Sequence, residues 1–274
     1  MKQVFYIKSE QLAEPLQTVL LFEVGERHCC FGVMNHISKE LTEFGYYTSE
    51  NDDEDLTAGV FEKHPELSQS FSTSMIGYDL TESILFPSSQ YKYEEAQLHL
   101  QAVYGINAES KVESEHLPHL RLFNTYRVPQ SLHDSLSKRF ATGKYWHKYS
   151  VHLKNISPAI SDSLVVDFKT DEITVLALKA SGLQLAQTFQ YASPEDVLYY
   201  LLKTCQQFSL SQQEVKVELS GFIEKDSSIY RELYKYFLHL DFVSLPGGIK
   251  LAEAFSEYPS HYFSSISKLA TCVL

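Results

Sequence analysis

The chain has 274 residues, 44% of them hydrophobic, a formal net charge of −12 and a pI near 5.4, so it can supply the core of one large domain or two intermediate ones. Its acidic balance sets the surface against phosphate backbones and anionic lipid headgroups, which recruit basic proteins, and no nucleic-acid partner is expected. No apolar run reaches the roughly 18 to 20 residues of a membrane helix, because Glu23 cuts the run that starts at Val19; neither membrane insertion nor, with Lys8, Glu10 and Glu14 near the start, a secretion signal is expected.

The first predicted element is an edge strand over 4–7, followed by a hairpin over 18–33 and a third strand over 40–48. The acids at 52–55 stand where a helix start exposes unpaired N–H groups, and the spacing predicts a helix over 52–64 rather than a metal site. Strand-like stretches follow at 71–78 and 83–86, broken by Pro87, then a helix over 91–103 and a strand over 120–128. Pro129 starts a helix with Leu132, Leu136 and Phe140 at spacing four, and residues 145–153 read as a strand carrying the only tryptophan, Trp146.

Pro158 interrupts a polar, small-residue stretch over 155–163, which places a junction there and divides the chain into domains 1–157 and 158–274. Beyond it, Ser193-Pro194-Glu195-Asp196 combines a cap, a first-turn proline and acids suited to the helix dipole. Val197, Leu198, Leu201, Leu202, Cys205 and Phe208 mark that helix's buried face. Val215, Val217 and Leu219 alternate with Lys216 and Glu218 as a half-buried strand, and Ile229 to Leu238 carry a further amphipathic helix. A last strand begins at 241–243, before the turn Pro246-Gly247-Gly248, and the stretch 251–274 holds two helical segments.

Two segments 144 positions apart share one pattern, the first opening at Thr18 and the second at Asp162. In each, an acid ends the first strand (Glu23 or Asp167), a turn follows, and a tyrosine (Tyr47 or Tyr191) and a serine (Ser49 or Ser193) precede an acidic helix start. Both halves therefore read strand, hairpin, strand, turn, strand, helix.

Hairpin-led α/β units in tandem, each with an acid on its first strand, resemble the actin-like superfamily of actin, sugar kinases and heat-shock chaperone ATPases. The hairpin at Glu23-Val24-Gly25, the segment Leu85-Phe86-Pro87, the Pro-started helix at Val128-Pro129-Gln130 and the Asp167 hairpin are similar to a bacterial family of unknown function with an actin-like ATPase fold. The resemblance implies an α/β chain of two tandem ribonuclease H-like domains, each a mixed sheet led by hairpins with flanking helices, clamping ATP and a divalent metal in the cleft between them.

That superfamily places an Asp in each hairpin, a Gly two places on and small hydroxyl residues at the bend, because Gly admits backbone N–H groups to phosphate and the Asp holds the metal or its waters. Here Glu23 replaces the first Asp, Gly25 survives, and Glu26-Arg27 fill the bend. Asp167 survives in the second hairpin, but Lys169 stands where Gly is expected; a third element, a Gly-Gly turn under the adenosine, is reduced to Gly221-Phe222. Three damaged motifs argue against ATP turnover, and the expectation is a noncatalytic protein-interaction or scaffold module with no catalytic residue, resident metal or cofactor. The competing expectation is a nucleotide site for ATP and magnesium with altered contacts at Glu23, Gly25, Asp167, Lys169 and Gly221. The plainer reading of the two acids is pairing with a nearby base such as Arg27 or Lys169.

Other constellations point to structure. Neighbouring strand residues face opposite ways, so His28-Cys29-Cys30 cannot gather both cysteines on one ion; His116 and His119 lack a second ligand pair. With Cys205 and Cys272 far off, the four cysteines form no disulfide framework, as expected of a cytoplasmic protein. No G-x-x-x-x-G-K-S/T loop, G-x-S-x-G elbow or H-E-x-x-H helix occurs. Eighteen tyrosines, each a large apolar face with a polar tip, suit a protein partner or self-association as well as a core rim.

Overall fold

Runs of β-branched and aromatic residues become strands, and their punctuation becomes turns and caps. In the computed structural model, which describes residues 1–10, 17–51, 55–156, 161–180 and 182–272, the first elements are β1 (Lys2–Lys8), β2 (Thr18–Gly25), β3 (His28–Asn35), β4 (Glu40–Thr48) and α1 (Leu56–Lys63). The Asp55 carboxylate caps α1 by accepting from Ala58 N at 2.9 Å; the other predicted capping acids, Asp52 to Glu54, lie outside the described residues. Next come β5 (Thr73–Asp79), β6 (Ser83–Pro87), α2 (Ala96–Tyr104), β7 (Ser110–Leu117), β8 (Leu122–Pro129), α3 (Gln130–Arg139), β9 (Lys144–His147) and α4 (Lys148–Lys154).

The predicted strand over 145–153 thus splits into a short strand and a helix. His147 makes the break: its Nδ1 accepts from Tyr149 N at 3.2 Å, an N-cap that turns the chain into α4. Strand β7 has no predicted counterpart. The predicted junction residues 157–160, Pro158 among them, lie outside the described residues.

The chain continues with β10 (Ser163–Phe168), β11 (Glu172–Lys179), β12 (Gly182–Gln190), α5 (Pro194–Phe208), β13 (Lys216–Gly221), α6 (Ser228–Leu233), β14 (His239–Phe242), β15 (Lys250–Leu251) and α7 (Ser264–Ala270). A full capping box starts α5: Ser193 Oγ accepts from Asp196 N at 3.2 Å and Asp196 Oδ2 accepts from Ser193 N at 2.9 Å. Helix α6 stops at Leu233, short of the predicted Leu238, and residues 234–237 turn the chain into β14.

Two compact units divide the chain. The first comprises residues 1–155, 247–257 and 266–274, the second residues 156–246 and 258–265. In the first, the strand order is β1-β4-β3-β2-β5-β9, with β15 joining β4, beside a three-stranded sheet β6-β8-β7. In the second, the order is β12-β11-β10-β13-β14. The series β4-β3-β2-β5-β9 and β12-β11-β10-β13-β14 match strand for strand: two antiparallel pairings followed by two parallel ones. A helix, α1 or α5, lies in each crossover that makes the first parallel pair. Each unit has its own core, built in the first around Phe22, Phe31, Val60 and Tyr78 and in the second around Val166, Val175, Leu201 and Leu219.

Candidate functional site

Strand register decides what meets the first hairpin acid. Glu23 on β2 lies opposite Cys30 on β3 and Gly77 on β5. Two residues further, Gly25 lies opposite Asp79, the last residue of β5. Because Tyr78 pairs with His147 at the end of β9, the next residue, Lys148, comes up beside Asp79. His28 enters from the start of β3.

The result is a buried ionic cluster. Glu23, His28, Asp79 and Lys148 are all between 3 and 5% exposed. His28 Nε2 is 3.2 Å from Asp79 Oδ2 and 3.6 Å from Glu23 Oε1, Cys30 Sγ donates to Glu23 Oε1 at 3.6 Å, and the Lys148 ammonium pairs with Asp79 Oδ1. The His28 ring stacks on Tyr46 with centroids 5.6 Å apart. Buried carboxylates are tolerable only when paired, and here the chain supplies the partners itself. The acceptor and imidazole atoms of Glu23, His28 and Asp79 lie within 4.8 Å of one another, a spacing suited to a cation, yet a cation is already present in the Lys148 side chain. The imidazole also covers Gly25: a Cβ added there would stand 2.3 Å from the His28 ring. The open approach that a glycine gives a phosphate is taken up by this side chain.

In the second hairpin, Asp167 on β10 is buried and lies opposite Ser220 on β13, whose Oγ donates to its Oδ1 at 2.5 Å. The expected pairing with Lys169 is replaced by this hydroxyl, since parallel register brings Ser220 alongside. Lys169 is buried at the bend, its N–H bonded to Glu172 O at 2.9 Å and its carbonyl accepting from Tyr191 OH at 2.9 Å. Gly221 has φ of +78°, and an added Cβ would stand 2.0 Å from Phe168 O, so the backbone at the end of β13 requires glycine. Phe222 N then donates to that same carbonyl at 2.9 Å.

Asp167, Lys169 and Gly221 therefore gather at one end of the second unit's sheet, as Glu23 and Gly25 do at the first hairpin. Sequence reasoning missed His28, Asp79 and Lys148 as members of the first cluster. The cysteines alternate along β3 as expected: Cys29 packs in the core while Cys30 faces Glu23. His116 stacks on Phe123 at 4.4 Å, and His119 Nε2 donates to Leu153 O at 3.1 Å, so these two do not converge on a ligand.

A solved structure of a Bacteroides thetaiotaomicron protein, described as having an actin-like ATPase fold and unknown function, superposes with a TM-score of 0.75 at 18% identity, covering 93% of this chain and 96% of that one. A chain of the PilM-PilN type IV pilus biogenesis complex superposes with a TM-score of 0.63 at 9% identity, over 94% of this chain and 99% of that one. No curated protein matches the sequence. The first likeness establishes the actin-like ATPase fold, with its mixed α/β sheets, over most of the chain. Residues 8–240 match the family model described as "Protein of unknown function (DUF3822)", and the chain belongs to that family.

Proposed function

We propose that this chain is a noncatalytic actin-like protein, a pseudo-ATPase of the bacterial cytoplasm that serves as a docking body for a protein partner or for a second copy of itself. The observation that carries this reading is the filled first hairpin. There the acids already hold a lysine, an imidazole and a thiol of their own chain, and the His28 ring occupies the approach to Gly25. A metal–phosphate group would have to expel His28 and compete with Lys148 in a buried setting, where breaking a charge pair is costly. Asp167, held by Ser220, and the bulky Lys169 support the same reading in the second unit.

The matching strand order of the two sheets supports duplication of one ancestral unit that kept its frame while its phosphate contacts lapsed. A partner role is supported by the fold neighbour found in a two-protein pilus complex and by exposed tyrosines such as Tyr93, Tyr199 and Tyr234. The test is a thermal melt with and without millimolar magnesium ATP. A ligand at a hundred times its dissociation constant adds about 2.7 kcal/mol, which for a chain of this size is a rise of roughly 5 to 10 °C. No shift is expected. A rise of that size, lost in Asp167→Ala with the nucleotide-free melt intact, overturns the proposal.

A further inference from the structure

Strands β7 and β9 are sheet edges: among the described residues β7 pairs only with β8, and β9 only with β5. A cavity of about 490 Å³ is lined by residues of both edges and by Tyr78 of β5, Tyr126 of β8 and His133 of α3. That volume lies within the roughly 300 to 1,000 Å³ of ligand sites. Its walls combine the rings of Tyr78, Tyr126, Tyr145 and Trp146 with polar and charged side chains, Lys111, Glu113 and Glu115 among them; the rings of Tyr78 and Tyr145 stack at 5.8 Å.

The Glu115 carboxyl group joins the two edges. Its Oε1 accepts from Tyr126 OH at 2.6 Å and from the β9 backbone at His147 N at 2.8 Å. Its Oε2 is buried without a hydrogen-bond partner, and so is the indole Nε1 of Trp146. The nearest basic groups are committed elsewhere. Lys111 Nζ lies 2.6 Å from Glu113 Oε1 and 2.9 Å from His133 Nε2, and Lys154 Nζ sits over the Trp146 ring, 3.1 Å from its centroid. Among the described residues no ammonium or guanidinium is within ion-pair distance of Glu115.

An orphan acceptor and an orphan donor on two residues that line one cavity call for a ligand that brings both a donor and an acceptor. An extended peptide does so, and unpaired strand edges are the usual place for one to add. We propose that this cavity receives an extended segment of a protein partner bearing a lysine or arginine, whose cationic head reaches Glu115 among the aromatic rings while a backbone carbonyl accepts from Trp146 Nε1. The assignment rests on the docking reading above and names the chemistry of its partner. Aromatic faces favour a cation, and the acidic balance of the chain favours a basic partner.

The site has a built-in pH signature. Burial pushes the Glu115 carboxyl up to about 7, against the opposing pull of the nearby Ser150 hydroxyl, of the hydrogen bonds from Tyr126 and His147 and of the Lys154 charge. The other groups facing it do not supply a compensating cation: His147 is buried and held neutral, burial pushes the Cys272 thiol up, and Glu113 is spent on Lys111. A cationic head that binds ionised Glu115 releases a proton, so affinity rises with pH through about 7.

Trp146 is the only tryptophan, so its emission reports occupancy of the cavity in the full-length chain. The probes are blocked heptapeptides of alternating valine and threonine with arginine, lysine, glutamine or leucine at the centre, and free agmatine as a small-amine control. The arginine and lysine peptides are expected to shift the emission saturably, with affinity increasing from about pH 6 to about pH 8. Glu115→Gln is expected to weaken them at least about tenfold, as loss of a charged hydrogen bond does, and to flatten the pH dependence. Tyr145→Ala provides a second variant, expected to weaken binding without altering that pH dependence. Equal binding of the glutamine or leucine peptides, unchanged binding in Glu115→Gln, agmatine binding as tightly as the peptides, or no shift up to millimolar peptide would each overturn the assignment. None of these results bears on the nucleotide melt, so the two readings fail separately.

Discussion

Replacing Lys148 by methionine tests whether the first hairpin is a self-compensated cluster. The side chain is 4% exposed and its ammonium pairs with Asp79, itself 3% exposed, so Lys148→Met leaves a carboxylate in the interior without its ammonium. Breaking a buried pair from one side costs about 3 to 5 kcal/mol. His28 Nε2 still faces Asp79 Oδ2 at 3.2 Å, which places the expected loss at the lower end, about 3 kcal/mol. Asp79→Asn should cost a similar amount, since it removes the carboxylate that the ammonium pairs with. The double variant removes both charges, and its loss should fall short of the sum by about 2 kcal/mol, within the range for residues in contact. Urea unfolding followed by Trp146 emission, with slopes compared across the four proteins, measures the cycle. A loss below about 1 kcal/mol in Lys148→Met, or additivity within about 0.5 kcal/mol, would refute the reasoning. The Lys148 ammonium would then not be the counter-charge of the cluster, and the acids would be available to an external cation.

Gly221→Ala should lose about 3 kcal/mol, combining roughly 1 to 2 kcal/mol for a left-handed non-glycine residue with about 1 to 3 kcal/mol for a Cβ forced toward the Phe168 carbonyl 2.0 Å away; a melt within error of the parent would show that the end of β13 relaxes freely. His147 is fully buried, its Nε2 donating to Leu80 O at 3.0 Å, and burial drives its pKa down to about 3. A group depressed in the folded state contributes stability that is complete above its unfolded pKa near 6.5 and is lost as pH falls toward 3, by up to about 1.4 kcal/mol per pH unit. Unfolding free energies from about pH 7 to about pH 4 should therefore fall faster in the parent than in His147→Asn, which keeps a capping side chain; parallel curves would contradict the assignment.

The elements that sequence reasoning located best are those whose signals are local. The strands over 18–33 and 40–48 carry their alternation and turns within a few residues, and the α5 start carries its whole capping box between Ser193 and Asp196. Strand β7 escaped because Lys111, Glu113, Glu115 and His116 leave it without an apolar face, and its residues before Leu117 are half-buried or exposed. The boundary at His147 escaped because a histidine cap has no strong sequence signature, whereas the Ser193 cap does. Within the candidate site, Glu23 and Asp167 were legible from their place on the hairpins. Asp79 and Lys148 were not, because they reach Glu23 only through two parallel pairings, β2 with β5 and β5 with β9, whose register a single sequence does not display.

Comparing Gly25 at the first hairpin with Gly221 at the end of β13 separates frame from chemistry. Gly221 is held by its own backbone, with φ of +78° and a carbonyl where any side chain would go. Gly25 is not: its φ is outside the positive region, and the three atoms nearest a Cβ there belong to the movable ring of His28. A glycine kept for backbone reasons stays whatever the site binds, while one kept only for access loses its purpose once a side chain covers it. His28 has a structural role here, packing on Tyr46 and lying between two carboxylates. The strand ladder fixes where the acids and bends fall, so the ligand-facing groups can be replaced one side chain at a time with the ladder unchanged. Under the proposed function, that replacement is complete at the first hairpin, where Lys148 supplies inside the fold the positive charge that a metal would bring from outside.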